Sequence, residues 1–216
     1  MADQISDVSV SLCSSSKYVT PFRLNYKQDG VEKTWDYIKG HDSIAILLYN
    51  KDRDVFPVVK QFRPAVYAAK IKAFTDGQKV DTDKHKGEEG MTLELCAGLM
   101  DKDKDVTEMA QAEVLEETGY KVPLENLKKI TSFRCGVGTE GSQQHLFYAE
   151  VTDEMRVSCG GGLVEEGEMI EVIELSNQEA LKCIMDETIT KPVGMMFAFT
   201  WFFFMKDKEE TLVARK

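Results

Sequence analysis

Between Gly98 and Gly119 the chain specifies a helix that ordinary electrostatics disfavours, and any fold has to accommodate it. Asp105, followed three residues later by Glu108, is a capping-box-like start, and Gly119 stands where a left-handed C-terminal cap belongs. From Asp105 to Tyr120 there are five acids and no base. At about 100° per residue, Glu113, Glu116 and Glu117 share roughly 100° of arc and converge on one spot. They do so in the last two turns, where the macrodipole is already negative and like charges at i,i+4 cost roughly 0.2 to 0.5 kcal/mol per pair. A solvated helix face interleaves its acids with Lys or Arg, whereas here Lys104 and Lys121 lie outside the helix. A bound cation is the simplest remedy.

Composition narrows the possible partners of such a site. The 216 residues allow one sizeable core, and 43% hydrophobic with 30% charged residues is ordinary for a globular protein. A net charge of −10 argues against nucleic acid, which needs a basic footprint. A phosphate-bearing substrate would therefore arrive with metal ions. Cysteines at 13, 96, 135, 159 and 183 form no CxxC pair and leave one over under any disulfide scheme, which fits a reducing, cytoplasmic compartment. His41, His85 and His145 have no zinc-like spacing. The N-terminus lacks a basic region followed by an apolar stretch, so no signal peptide is expected. PVGMMFAFTWFFFM, 192–205, is the most apolar run, but 14 residues fall short of a bilayer span, and it reads as a buried C-terminal helix.

Residues 1 to about 40 alternate polar with apolar around a turn at Gln28-Asp29-Gly30, the pattern of a β-hairpin. IAILLYN, 44–50, and VFPVVKQF, 55–62, read as strands joined by KDRD and paired antiparallel. From about 70 to 90 the chain turns polar and charged, as expected of a mobile insertion without packed structure. MTLELCAGL then reads as a strand ending at Gly98, QQHLFYAEV, 143–151, as another, and GGGLVEEGEMIEVIEL, 160–175, as a glycine-rich loop and a strand before the helical NQEALKCIMDE. Helices come singly between groups of strands, which predicts an α+β domain with a mixed sheet covered by two or three helices. No repeat, GxGxxG or GxxxxGK motif is present.

The spacing of Gly98, Glu113, Glu116, Glu117 and Gly119 resembles the Nudix box, G-x5-E-x7-R-E-U-x-E-E-x-G-U with U aliphatic, over residues 98–120. Lys104 and Ala112 depart from its Glu and Arg, and Tyr120 replaces the last aliphatic. Loss of both members of an ion pair can be nearly neutral where loss of one is costly. VVKQFRPAVY, 58–67, ELCAGLMD, 94–101, GVGTEGSQQHLFYAEV, 136–151, and GGGLVEEGEMIEV, 160–172, extend the resemblance over nearly the whole chain, toward the nucleoside diphosphate sugar branch of the Nudix hydrolases.

What the resemblance implies is a Nudix fold, an α/β/α sandwich in residues 41–216, with residues 1–40 as a β extension exchanged between the subunits of a homodimer. The implied reaction is Mg²⁺-dependent hydrolysis of a diphosphate, UDP-glucose giving UMP and glucose 1-phosphate, with Mn²⁺ a possible substitute. ADP-ribose is the rival substrate, and a nucleotide-sugar-binding domain without turnover the rival from another class. By the same resemblance Glu113, Glu117, Glu168 and the carbonyl of Ala97 bind metal, Glu116 assists, and Glu166 is the general base. Arg63 contacts substrate phosphates, Glu94, Gly98 and Leu99 line the cleft, and Trp35 stacks on a base across the dimer. Read alone, EEGE is a polar turn and Arg63 a surface ion-pairing residue, and Cys96 reads as a small buried hydrophobe.

Overall fold

The computed structural model describes residues 3–16, 18–100, 104–163, 165 and 167–206. Strands β1 (Thr20–Gln28) and β2 (Val31–Lys39) pair antiparallel from Thr20↔Lys39 to Gln28↔Val31. Asp29 and Gly30 join them at φ 52° and 80°, the two positive angles that a primed two-residue turn requires. The hairpin forms a separate two-stranded sheet, which has little stability of its own. It is tied down by the Ile38 N–H donating to Thr139 O at 2.7 Å and the Trp35 indole donating to Gly138 O at 2.8 Å. Phe22, Leu24, Val31 and Trp35 remain exposed along it.

The main sheet contains β3 (Ser43–Asn50), β4 (Val55–Phe62), β5 (Met91–Glu94), β6 (Cys96–Leu99), β7 (Lys128–Arg134), β8 (Gln143–Val151) and β9 (Ile170–Ser176). The pair β3 and β8 is parallel, running from Ser43↔Gln144 to Asn50↔Val151, and every other pairing is antiparallel. Strands β3 and β4 pair as expected only at their turn, through Asn50↔Val55, and then part in a V. The stretch expected as one strand fills that V as two. Residues 91–94 pair with β4, residues 96–99 pair with β3, and Leu95 is the point of exchange. Strand β7 was hidden in the sequence by its mixed pattern, LKKITSF, and lies half-buried at the sheet edge.

Helices α1 (Pro64–Ile71), α2 (Val106–Glu113), α3 (Asn177–Met185) and α4 (Val193–Phe204) complete the fold. Alternation along β3 sends Ile44, Ile46 and Leu48 toward Met109, Ala110 and Val114 beside α2. It sends Ala45 and Leu47 toward Ala180, Met195, Phe199 and Trp201 of α3 and α4. Both faces of β3 are thus covered, which is why it reads as an unbroken apolar run. Fully buried Phe199, Trp201 and Met195 each contribute about 1.5 to 3 kcal/mol of transfer free energy, enough to fix α4 against the sheet.

The stretch 70–90 differs from expectation because its partners lie outside its own sequence. Ser9 bridges Lys79, the Tyr67 hydroxyl donates to His85 O at 2.6 Å, and Gly87 and Gly90 are buried. A β-carbon at Gly90 would lie 2.3 Å from the Phe62 ring. The charged composition concealed a backbone tied to the N-terminal segment.

Candidate active site

The Asp105 carboxylate opens α2 by accepting from the N–H groups of Thr107 at 2.8 Å and Glu108 at 3.3 Å, and Gly119 closes the element at φ 78°. Between them Val114–Thr118 form a π-helical turn, so the uniform 100° spacing fails over the last acids. Glu113, Glu116 and Glu117 therefore do not meet on one outward spot. Glu117 turns inward to 3% exposure, and its Oε2 accepts from the Ala97 N–H at 2.9 Å. The Glu113 carboxylate lies over Gly98, where a β-carbon would sit 1.9 Å from its Oε1. Only a glycine on β6 leaves that space. Lys104 and Ala112 are both exposed, so the departures from the box bury no unpaired charge.

The wide last turn frees backbone carbonyls, and the glycine-rich loop satisfies them. Gly161 N–H donates to Glu117 O at 2.8 Å and Gly162 N–H to Glu116 O at 3.1 Å. Gly119 and Gly160, both at positive φ, close the contact. A β-carbon on Gly119 would lie 2.2 Å from Ser158 O, and one on Gly160 would lie 2.3 Å from Glu117 O. The acidic loop is thereby clamped to the end of the acidic helix. Glu168 lies on it with Oε2 accepting from Leu163 N–H at 2.8 Å. Glu166 lies outside the described residues.

A cleft of about 360 Å³ opens between the arms of the V, lined by Arg63, Glu94, Ala97, Gly98, Leu99, Glu117 and Glu168 among others. Arg63 and Glu94 form a two-pronged pair, Nε to Oε1 at 2.8 Å and Nη2 to Oε2 at 2.7 Å, and the Thr92 hydroxyl donates to Oε1 at 2.6 Å. Burial opposes ionisation of Glu94, but Arg63 and Thr92 outweigh it and hold the carboxyl below the usual carboxylate range. Glu94 engages Nε and Nη2 of Arg63 and does not engage Nη1, and Arg63 lines the cleft. Glu113 and Glu116 flank the cleft without lining it, and Trp35 lines a different cavity, of about 290 Å³, between the hairpin and residues 137–141.

Burial, followed by the charges of Glu113 and Glu168, pushes Glu117 up to about 8 against the bond from Ala97 N–H. Cys96, fully buried beside it, is pushed well up by burial and by Glu117, and stays a thiol. The ionisable donors facing this point are therefore carboxylates, a set suited to a hard divalent cation. Among the described residues no three acidic, histidine or cysteine side chains are grouped as a cation site, and Glu117 and Glu168 each accept from a backbone N–H.

The other cleft wall escaped the sequence reading. Ser43, Ala45, Gln144, Pro192 and Met195 line it. Their only sequence signal is a polar residue at the mouth of each apolar strand, as in the starts SIAILL and QQHLFY.

No protein-family model matches the chain. It is 42% identical over 211 residues, 93% of its length and 95% of the relative's, to uridine diphosphate glucose pyrophosphatase NUDT14 of Bos taurus. Identity to the protein of that name from Mus musculus is 41% over the same shares. GDP-mannose pyrophosphatase of Pectobacterium atrosepticum is 35% identical over 175 residues, covering 80% of this chain and 78% of that one.

Proposed function

Because the chain belongs to the Nudix hydrolase family, we propose that it hydrolyses the diphosphate of nucleoside diphosphate sugars, with UDP-glucose giving UMP and glucose 1-phosphate. The observation that carries this reading is the buried Glu117 at the base of the cleft, with the charges of Glu113 and Glu168 acting on it and the Arg63 guanidinium on the cleft wall. A diphosphate brings further negative charge to this cleft, so the acids need a countercharge before it can enter.

Glu113, Glu117, Glu168 and the Ala97 carbonyl would hold Mg²⁺, with Mn²⁺ as a substitute, and the bound ion would neutralise the diphosphate and lower the pKa of the attacking water. To take that role Glu117 would give up its proton and its bond to Ala97 N–H. Arg63, oriented by Glu94, presents Nη1 to a phosphate oxygen, and the planar fork favours a fixed phosphate geometry. Glu166 takes the proton from water, and Glu116 supports the helix end from outside the cleft. Gly98 and Leu99 form the floor over which the diphosphate passes.

The exposed aromatic stripe of the hairpin supports a homodimer in which that stripe is covered by a second copy and Trp35 is brought to a base. All five cysteines are free, which supports a reducing, cytoplasmic setting. Among the described residues no helix is long and apolar enough to cross a membrane. The test is release of glucose 1-phosphate from UDP-glucose with Mg²⁺, Mn²⁺ or chelator, beside ADP-ribose and GDP-mannose. A higher kcat/KM on UDP-glucose, abolished by chelator, is expected. Nucleotide binding without cleavage would overturn it.

A further inference from the structure

The two walls of the cleft differ in kind. Arg63, Glu94 and Gln61 stand on the β4–β5 arm, Glu117 at the base beside Ala97, and Glu168 on the clamped loop, so the formal charge lies on one side. The opposite arm, made by the ends of β3 and β8 under the first turn of α4, carries none. Ser43 and Gln144 are paired across the two strands, and Gln144 Nε2 donates to Ser43 Oγ at 3.2 Å. One amide N–H and the carbonyl oxygen of Gln144 have no further partner among the described residues. The amide is also placed by a glycine. A β-carbon at Gly194 would lie 2.6 Å from Gln144 Oε1 and 3.1 Å from the Phe133 ring, so any larger residue would displace the carboxamide.

We infer that Gln144, held by Ser43 and given room by Gly194, is the residue that recognises the sugar of the nucleotide sugar. The inference rests on the pyrophosphatase reading and adds which half of the substrate each wall receives. A diphosphate belongs against Arg63 and the carboxylates, so the group attached to it that reaches the opposite arm is uncharged. That arm offers an amide and a hydroxyl beside the apolar side chains of Ala45, Leu95 and Met195, and no aromatic ring lines the cleft among the described residues. A nucleobase is recognised by stacking on a flat ring, whereas a hexose presents adjacent hydroxyls that donate to and accept from one carboxamide. A site built to hydrogen-bond a hydroxyl also rejects analogues that lack it.

The test compares UDP-glucose with the methyl ester of UDP, which keeps the diphosphate and nucleoside but has no sugar. Gln144→Ala is expected to lower kcat/KM on UDP-glucose at least tenfold and to change it less than twofold on the methyl ester. Gly194→Ala, which leaves Gln144 in the chain but moves its amide, is expected to reproduce that selectivity. Ser43→Ala, a smaller change that guards against misfolding of the first variant, should lower UDP-glucose turnover about threefold. Calorimetric titration with glucose 1-phosphate and Mg²⁺ should show a dissociation constant at least fivefold higher in Gln144→Ala, with inorganic phosphate unaffected. Equal losses on both substrates, or none on UDP-glucose, would overturn the assignment. A wild-type protein inert on both substrates would refute the pyrophosphatase reading alone, because the glucose 1-phosphate titration needs no turnover and still decides the role of Gln144.

Discussion

Replacing Glu117 by Gln is expected to stabilise the metal-free protein while disabling it. The carboxyl is 3% exposed and is pushed up to about 8 from an ordinary value of 4.5, first by burial and then by Glu113 and Glu168. Its folded pKa lies above its unfolded one, so between those values the unfolded chain holds fewer protons and stability falls as pH rises. At pH 7 the cost is about 1.4 kcal/mol for each of roughly 2.5 pH units, or about 3 to 4 kcal/mol. Glutamine carries no charge, and its Oε1 can accept from Ala97 N–H as Glu117 does. In a chain of this size 1 kcal/mol moves the melting temperature by about 2 to 4 °C. Thermal unfolding in EDTA should therefore show Glu117→Gln melting about 6 °C or more above wild type at pH 7.5, with the gain gone near pH 4.5. Saturating Mg²⁺ should raise the wild-type midpoint far more than the variant's. A variant that melts at or below wild type at pH 7.5 in EDTA, or a gain equal at both pH values, would refute the reasoning.

Glu166→Gln should lower kcat by about 10² to 10⁴ with KM little changed, as loss of a positioned base predicts, and steady-state release of glucose 1-phosphate measures it. Gly98→Ala should push the Glu113 carboxylate off β6, because the added carbon would fall 1.9 Å from Oε1. Titrated by activity, the Mg²⁺ requirement should rise about tenfold, and circular dichroism should show the fold retained, since the colliding group is the tip of a flexible side chain. Leu24→Asp places a charge in the exposed stripe of β1, opposite Trp35. Light scattering should then report 24.4 kDa particles in place of particles of twice that mass.

The hairpin, the acidic helix and the apolar C-terminal helix were legible in the sequence because each is set by local chemistry. Asp29-Gly30 dictates a primed turn, Asp105 and Gly119 bracket a helix, and PVGMMFAFTWFFFM has no polar face to leave in water. The three acids were legible as a group but not as a geometry. The π-helical turn at Val114–Thr118 turns Glu117 inward and exposes carbonyls to Gly161 and Gly162, and no periodicity in the residues announces it. The neutral wall was silent for another reason. Ser43, Gln144 and Gly194 lie about a hundred and fifty positions apart at the extremes, and each looks like an ordinary strand end or helix start until β3 and β8 run parallel beneath α4.

The single shared rung between β3 and β4 has an evolutionary consequence. Past Asn50↔Val55 the Arg63–Glu94 arm on β4 and β5 and the neutral wall on β3 and β8 hang on separate ladders, so a replacement on one is not relayed to the other through direct backbone pairing, while Ala97 and Gly98 stay on the β3 ladder. A lineage could change its leaving group by drift at a handful of positions near Ser43, Gln144 and Gly194 while Arg63, Glu94 and the glycine clasp stay untouched. Directed evolution confined to the neutral wall is thus a short route from one sugar to another.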